Sequence, residues 1–261
     1  MNKALSRCKS VTPCRVVDYL KIDRAGWKDL VIAQQPVVIK GMCSHWPAVK
    51  STHRGWQNLN YLMSSFGESM VWMEYGGNYM SSAMKRHQVP LELVLHYLKQ
   101  RTDDDKFEFV YVAQQNIDEV HGMMNDLMKP EITEISVDKK DGSSRASTTY
   151  PTNLWLGVAG VNSPCHYDPY QNVLCQIVGT KSVHLFSPDT SSLLYPAIGT
   201  LQKNTSKIDF EHYDENAFPL FKDAQAISAE LSAGDALFIP HKWWHYCRNE
   251  TLGISVNFWW T

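Results

Sequence analysis

At 261 residues, 44% of them hydrophobic and 20% charged, the chain has the composition of a folded domain large enough to bury a substantial core. A formal net charge of −2 and the lack of a basic, aromatic-interleaved stripe argue against nucleic acid as a partner, and no apolar run is long enough to span a bilayer. The N-terminus, Met1-Asn-Lys-Ala-Leu-Ser-Arg-Cys-Lys9, has no secretory apolar run, and the six cysteines show neither CxxC nor zinc-finger spacing, so the expected setting is reducing and intracellular, nuclear or cytoplasmic.

Along the chain, Val17, Leu20, Trp27, Leu30 and Val31 recur at helical spacing, predicting one or two helices over residues 15–35. Pro36–Gly41 reads as a β-branched strand and His45-Trp-Pro47 as a turn. A helix follows around Trp56–Phe66, then a strand over Ser69–Glu74 that ends at Gly76-Gly77. Pro90 stands where a first helical turn tolerates it, opening a helix over Leu91–Gln100. Asp103–Asp105 reads as a solvated loop and Lys106–Gln114 as a strand. Residues 129–149 are polar and predict a mobile excursion over the surface. From Asn153 onward, strand-like runs alternate with turns: Leu154–Val158, Asn172–Val178, Ser182–Ser187, Ala226–Leu231, Ala236–Ile239 and Ile254–Trp260. Evenly spaced short strands imply a sandwich or barrel, here carrying an N-terminal helical layer.

Chemistry concentrates in two segments. His166 and Asp168, two residues apart in an extended stretch, point to one side of a strand. An arbitrary His-x-Asp usually serves turn backbone; this pair precedes an apolar strand, and a late histidine follows Phe238-Ile-Pro240. Two imidazoles and a carboxylate with the opposite face open form the site of nonhaem iron(II) oxygenases. Spacing alone does not name the third ligand, since His241 and His245 share strand parity. His241 directly follows Pro240 and suits a turn, which favours His245. Lys181 shares a face with Val183 and Leu185, so it either snorkels to the surface or meets a buried anion such as the distal carboxylate of 2-oxoglutarate. His184 lies on the opposite face and reads as structural. Trp243, Trp244, Trp259 and Trp260 read mostly as core, with one or two lining a pocket. Cys165 points away from His166, whereas Cys247 shares the parity of His245; neither is placed in the metal sphere, because a fourth ligand would close the open face. No phosphate loop and no GxSxG nucleophile elbow is present.

The segments Ser163-Pro-x-His-x-Asp-Pro-x-x-Asn172, Gln176-Ile-Val-Gly-Thr-Lys181, Leu185-Phe-Ser-Pro188, Leu194-Tyr-Pro196, Asn204-Thr-Ser206, Gly234-Asp-x-Leu-Phe-Ile-Pro240 and Trp244-His-Tyr246 carry a family likeness. With Pro36–Gly41, His45-Trp-Pro47 and the terminal Phe258-Trp-Trp260, they make the chain resemble Jumonji-C oxygenases, most of all the Jumonji-domain-containing protein 5 or lysine demethylase 8 subgroup. The likeness weakens over residues 1–15 and 129–150, and the subgroup's extra N-terminal helical domain is expected to be absent. It implies a mainly β fold with flanking helices: a double-stranded β-helix, or cupin-like jelly roll, with an N-terminal α/β cap. On that basis residues 1–261 form one domain, with the cap over 1–105 and the core over 106–261.

The resemblance further implies iron(II), 2-oxoglutarate and dioxygen as the cofactor set, with His166, Asp168 and His245 as iron ligands. It assigns Lys181 and Tyr111 to the distal carboxylate of 2-oxoglutarate, Ser163 and Asn172 to further cosubstrate contacts, and Trp155 to the pocket wall. The implied activity is hydroxylation of an Arg or Lys side chain in a protein or peptide, with histones and ribosome-associated proteins as candidate partners. N-methyl-lysine demethylation and hydroxylation of a modified tRNA base are the alternatives within that chemistry. Outside it stand a non-catalytic binding barrel and a metal-dependent sugar isomerase, whose sites usually carry more ligands.

Overall fold

The computed structural model describes residues 4–100, 109–137, 144–145 and 147–261. Its first part interleaves β1 (Ser10–Pro13), β2 (Arg15–Asp18), α1 (Arg24–Ala33), β3 (Val37–Lys40), α2 (Pro47–Lys50), α3 (Leu59–Phe66), β4 (Met70–Tyr75), β5 (Lys85–Pro90) and α4 (Leu91–Gln100). Strands then dominate: β6 (Val110–Asn116), the short pair β7 (Ser136–Val137) and β8 (Ser144–Arg145), β9 (Asn153–Gly157), β10 (Asn162–Tyr167), β11 (Gln171–Val178) and β12 (Thr180–Phe186). The chain closes with β13 (Gln225–Ser232), β14 (Ala236–Ile239), β15 (Trp244–Asn249) and β16 (Gly253–Trp260).

The helices form where caps and apolar spacing agree. Asp23 accepts the Gly26 amide at 2.8 Å to open α1, and Gln34 ends it in a left-handed conformation. Asn58 accepts from the Asn60 and Tyr61 amides at the start of α3. In α4, Leu91, Val94, Leu95 and Leu98 are all buried, each such side chain contributing roughly 1.5–3 kcal/mol of hydrophobic stabilisation.

Two facing sheets carry all of these strands except β7 and β8, which pair with each other. One has five strands in the order β1-β13-β12-β15-β10; the other has nine, ordered β2-β3-β14-β11-β16-β9-β6-β4-β5. Strands from both sides of residue 105 pair directly, β1 with β13, β3 with β14 and β4 with β6. One apolar cluster joins Trp27, Leu62, Phe66 and Leu95 of the helices to Ile39, Val112, Val173, Phe238 and Val256 of the larger sheet. A second lies between the sheets and joins Leu174, Leu237 and Ile239 to Val183, Leu185 and Leu231. Strand β11 serves both, with Val173, Cys175 and Ile177 turned to the helices and Leu174 inward. That two-sided burial is why its sequence is a continuous apolar run. This is the jelly roll with flanking helices that the resemblance implies.

Four local expectations need correction. Residues 15–18 form an edge strand, parallel to β3, rather than helix; two consecutive valines prefer the pleated backbone. Pro90 closes β5 instead of opening the helix, and β5 itself, polar and exposed along most of its length, lacks a periodic signal. His45-Trp-Pro47 runs into the short helix α2, with Trp46 as its N-cap. Residues 130–136 are no excursion: Ile132 is fully buried, the Trp27 indole donates to Glu131 at 3.1 Å, and the Trp260 indole donates to the Ile135 carbonyl at 2.8 Å. A few anchors suffice where two tryptophans need acceptors. Asp103–Asp105, Lys106–Glu108 and most of Lys139–Arg145 lie outside the described residues.

Candidate metal centre and cosubstrate cavity

The inner face of the five-stranded sheet sets the site. Along β12 and β15, Leu185 faces His245, Val183 faces Cys247 and Lys181 faces Asn249. Across β10, His166 pairs with His245 and Ser163 with Cys247, so three residues of β10 span two of β15. The extra residue is a bulge at Pro164–Cys165. It returns both Ser163 and His166 to the cavity side despite their odd separation, while Cys165 is buried in the cluster beneath. Asp168 follows the end of β10, its carbonyl accepting the Lys242 amide at 2.8 Å.

His166, Asp168 and His245 are the metal-competent cluster of the described residues, with one donor atom from each within 4.8 Å of the others. Nε2 of His245 lies 3.7 Å from one Asp168 oxygen, and Nε2 of His166 lies 4.0 Å from the other. Nδ1 of His166 is 2.7 Å from the Pro164 carbonyl, and Nδ1 of His245 is 3.0 Å from the Trp243 carbonyl. A carbonyl only accepts, so each Nδ1 carries the proton and each Nε2 presents its lone pair to the common centre. Burial, reinforced by the adjacent His166, lowers the His245 pKa to about 4, against the opposing pull of Asp168. That imidazole is therefore neutral, the form a metal requires. Donor type, tautomer and spacing all fit one divalent ion with an open face.

The remaining predicted residues line the same cavity: Tyr111, Trp155, Ser163, Asn172 and Lys181. Lys181 is 3% exposed, and burial depresses its pKa to about 8. Among the described residues the lysine and arginine ion pairs engage Arg7, Lys21, Lys40, Arg54 and Arg248, and the Lys181 ammonium meets no carboxylate there. A buried cation of this kind fits the anionic end of a dicarboxylate. The Tyr111 phenol, also buried, hydrogen-bonds Ser163. Gly157 gives that ring its room: a Cβ there would stand 2.7 Å from Tyr111 Cδ2 and 2.7 Å from Val161 Cγ2. Beside Tyr111, with ring centroids 6.0 Å apart, the Trp155 indole donates to Asn257 at 2.7 Å, and Asn257 donates to Asn172 at 3.1 Å. Cys247 lines the cavity but stands outside the metal cluster, and His241 belongs to the preceding turn.

Several site residues escape a reading of the motifs. Trp259 lines both the cavity and its mouth, and its indole N–H is buried without a partner among the described residues. Beyond His166 and Asp168 the cavity opens into a mouth of about 520 Å3 lined by Glu74, Tyr79, Arg86, Gln114 and Tyr170 among others. Glu74 is 8% exposed and lies directly across from Tyr111 on β6 and from Arg86 on β5. Desolvation raises its pKa, with Arg86 opposing. Gln114 sits in a register shift of β6 with a φ of 51°, a left-handed conformation that turns it to the mouth. Asn257 has one signal in the sequence, a polar residue within an apolar final strand. Glu74 and Arg86 carried no such signal, since they reach the site only through strand pairing.

Comparison with known proteins agrees with this geometry. A family model described as a cupin-like domain matches residues 24–261. The chain is 34% identical to JmjC domain-containing protein D of Dictyostelium discoideum over 87% of its length, covering 52% of that relative. It is 32% identical to lysine-specific demethylase JMJ30 of Arabidopsis thaliana over 97% of its length, covering 56% of that relative. It is 33% identical to lysine-specific demethylase 8 of Xenopus tropicalis over 88% of its length, covering 49% of that relative. The chain thus spans about half the length of the curated relatives it matches. Among the described residues no helix is long and apolar enough to cross a membrane. With a jelly roll, a His-Asp-His cluster and a cupin-like match over residues 24–261, the chain belongs to the Jumonji-C family, whose cofactor set is iron(II), 2-oxoglutarate and dioxygen.

Proposed function

We propose that the protein is an iron(II)- and 2-oxoglutarate-dependent oxygenase that hydroxylates an Arg or Lys side chain of a protein. His166, Asp168 and His245 hold the iron; Lys181 and Tyr111 bind the distal carboxylate of 2-oxoglutarate, with Ser163 and Asn172 nearby. When bound, iron and cosubstrate supply the oxidant through decarboxylation of 2-oxoglutarate to succinate. The chain's own contribution is positioning. Carbonyls hold the two imidazoles in their ligating tautomer, the Trp155–Asn257–Asn172 chain stiffens one wall, and Tyr111 and Leu174 exclude water.

Glu74 carries the choice of substrate. A buried carboxylate facing the mouth above the metal cluster is costly unless a cation meets it. A guanidinium or ammonium entering between the rings of Trp155, Tyr170 and Trp259 would supply both the charge and N–H donors. The same aromatic wall favours a second reading, N-methyl-lysine demethylation, because quaternary ammonium groups bind ring faces. Mass spectrometry of Arg, Lys and methyl-Lys peptides incubated with the protein, iron(II) and 2-oxoglutarate separates the two. Retained oxygen supports hydroxylation; methyl loss with formaldehyde supports demethylation. Turnover of 2-oxoglutarate that leaves every such peptide unmodified would overturn both.

A further inference from the structure

The mouth holds a second charged group that the reading above does not use. Arg86 is exposed on β5 at the rim, with its guanidinium 5.0 Å from the ring centroid of Trp72, itself 39% exposed. Stacking on an indole holds the guanidinium flat and leaves its N–H edges free. Ion pairs of the described lysines and arginines engage Arg7, Lys21, Lys40, Arg54 and Arg248, and Arg86 is in none of them. Glu74, its cross-strand neighbour on the same sheet face, feels the charge of Arg86 without pairing with it. Opposed residues of this kind stand about 5 Å apart at Cβ, which is one to two residues of extended polypeptide at about 3.3 Å each. The mouth is therefore polarised, with a buried carboxylate within and a free guanidinium at the rim.

Resting on the hydroxylase reading, we propose that Arg86 is a specificity-determining residue: it binds an acidic side chain one or two positions from the modified cationic residue. Basic residues with acidic neighbours are then the substrate class, and stretches of consecutive basic residues are excluded by like-charge repulsion at the rim. A carboxylate accepts two parallel N–H bonds from a guanidinium, and the Trp72 face removes much of the freedom that would otherwise weaken an exposed pair.

The test uses peptides with one central Arg, or one central Lys, flanked within two residues on both sides by Asp, by Ser or by Lys. Oxygen gain is followed by mass spectrometry with iron(II) and 2-oxoglutarate. For the wild-type protein, kcat/KM for Asp-flanked peptides exceeds that for Lys-flanked ones by about tenfold, a margin that narrows as salt is added. Arg86→Glu inverts the order and Arg86→Gln levels it, outcomes that a purely structural role would not produce. Hydroxylation without flank preference, or an acidic preference retained in Arg86→Glu, overturns the proposal while leaving the hydroxylase reading intact. If no Arg or Lys peptide gains oxygen, the hydroxylase reading falls and this inference with it.

Discussion

Ser163 and His166 lie an odd number of residues apart, yet both face the metal cavity, because the bulge at Pro164–Cys165 inserts one residue into β10 against β15. The bulge delivers the hydroxyl beside Tyr111. Ser163→Ala should therefore raise the KM for 2-oxoglutarate by roughly three- to tenfold, the effect of one lost hydrogen bond. Steady-state kinetics with 2-oxoglutarate as the varied component measures it, and an unchanged KM would detach Ser163 from the cosubstrate.

Removing a ligand should act on the ion rather than on the fold. His166→Ala or Asp168→Ala is expected to weaken binding of iron(II), or of manganese(II) as a stable probe, by more than about a hundredfold, beyond what second-layer changes cost. Calorimetric titration of the metal gives the number. Affinity within tenfold of the wild type would remove that residue from the set.

Lys181 predicts a pH dependence with a definite sign. Burial holds its pKa at about 8, below the ordinary 10.5, so the ammonium is present below pH 8 and is lost above it. Binding of 2-oxoglutarate should weaken as pH rises beyond about 8. Lys181→Met should weaken it at neutral pH by roughly 10- to 100-fold, the loss of one charge-assisted hydrogen bond, and should flatten the profile. Between pH 8 and 10.5 the unfolded chain holds a proton that the folded one has released, so the metal-free fold should gain stability as pH rises through that window. A 2-oxoglutarate affinity independent of pH between 7 and 9.5 would place the ammonium elsewhere.

Acid should act in the opposite quarter. Burial lowers the pKa of both His245 and His184 from 6.5 to about 4. Above pH 6.5 each is neutral whether folded or not; as pH falls toward 4 the unfolded chain takes up protons that the folded one excludes. Stability is then lost progressively across that window, on the order of 3 kcal/mol per histidine once pH reaches 4. Urea midpoints of the metal-free protein at pH 7, 5.5 and 4 follow the loss. His184→Phe, which removes a buried Nδ1 that lacks a partner among the described residues, should shallow the slope.

Sterics alone require a glycine at position 157. A methyl group there would sit 2.7 Å from Tyr111 Cδ2 and 3.1 Å from the Val110 carbonyl oxygen. Gly157→Ala should cost about 1–3 kcal/mol of stability and raise the KM for 2-oxoglutarate through a displaced Tyr111 ring. Thermal unfolding and kinetics together test this; a normal KM alongside a lowered melting temperature would show that the ring escapes without moving its hydroxyl.

Much of the inner wall could be read from residues alone. Lys181, Val183 and Leu185 fall on one face because alternation is a property of the strand itself, and the structure keeps them there. The same local rule turned His184 outward, whereas the continuous apolar run of β11 marked it as a strand without alternation. The rule fails where a bulge intervenes: strict alternation places Ser163 opposite His166, and family likeness rather than periodicity retained it. Trp259 shows another gap. Its position in an apolar run resembles core, and only the packed cavity leaves its indole N–H without a partner among the described residues.

Residue order by itself determined the donor types, their phase within each strand and the apolar runs that must be covered, since these depend on backbone geometry over a few residues. Tertiary structure decided what cannot be local. It set His245 rather than His241 beside His166 through the register of β10 with β15, and it brought Glu74 into the mouth and Arg86 to its rim through the pairing of β4 with β5. Register is settled by the simultaneous burial of two sheets' faces, and no window of sequence contains both of them.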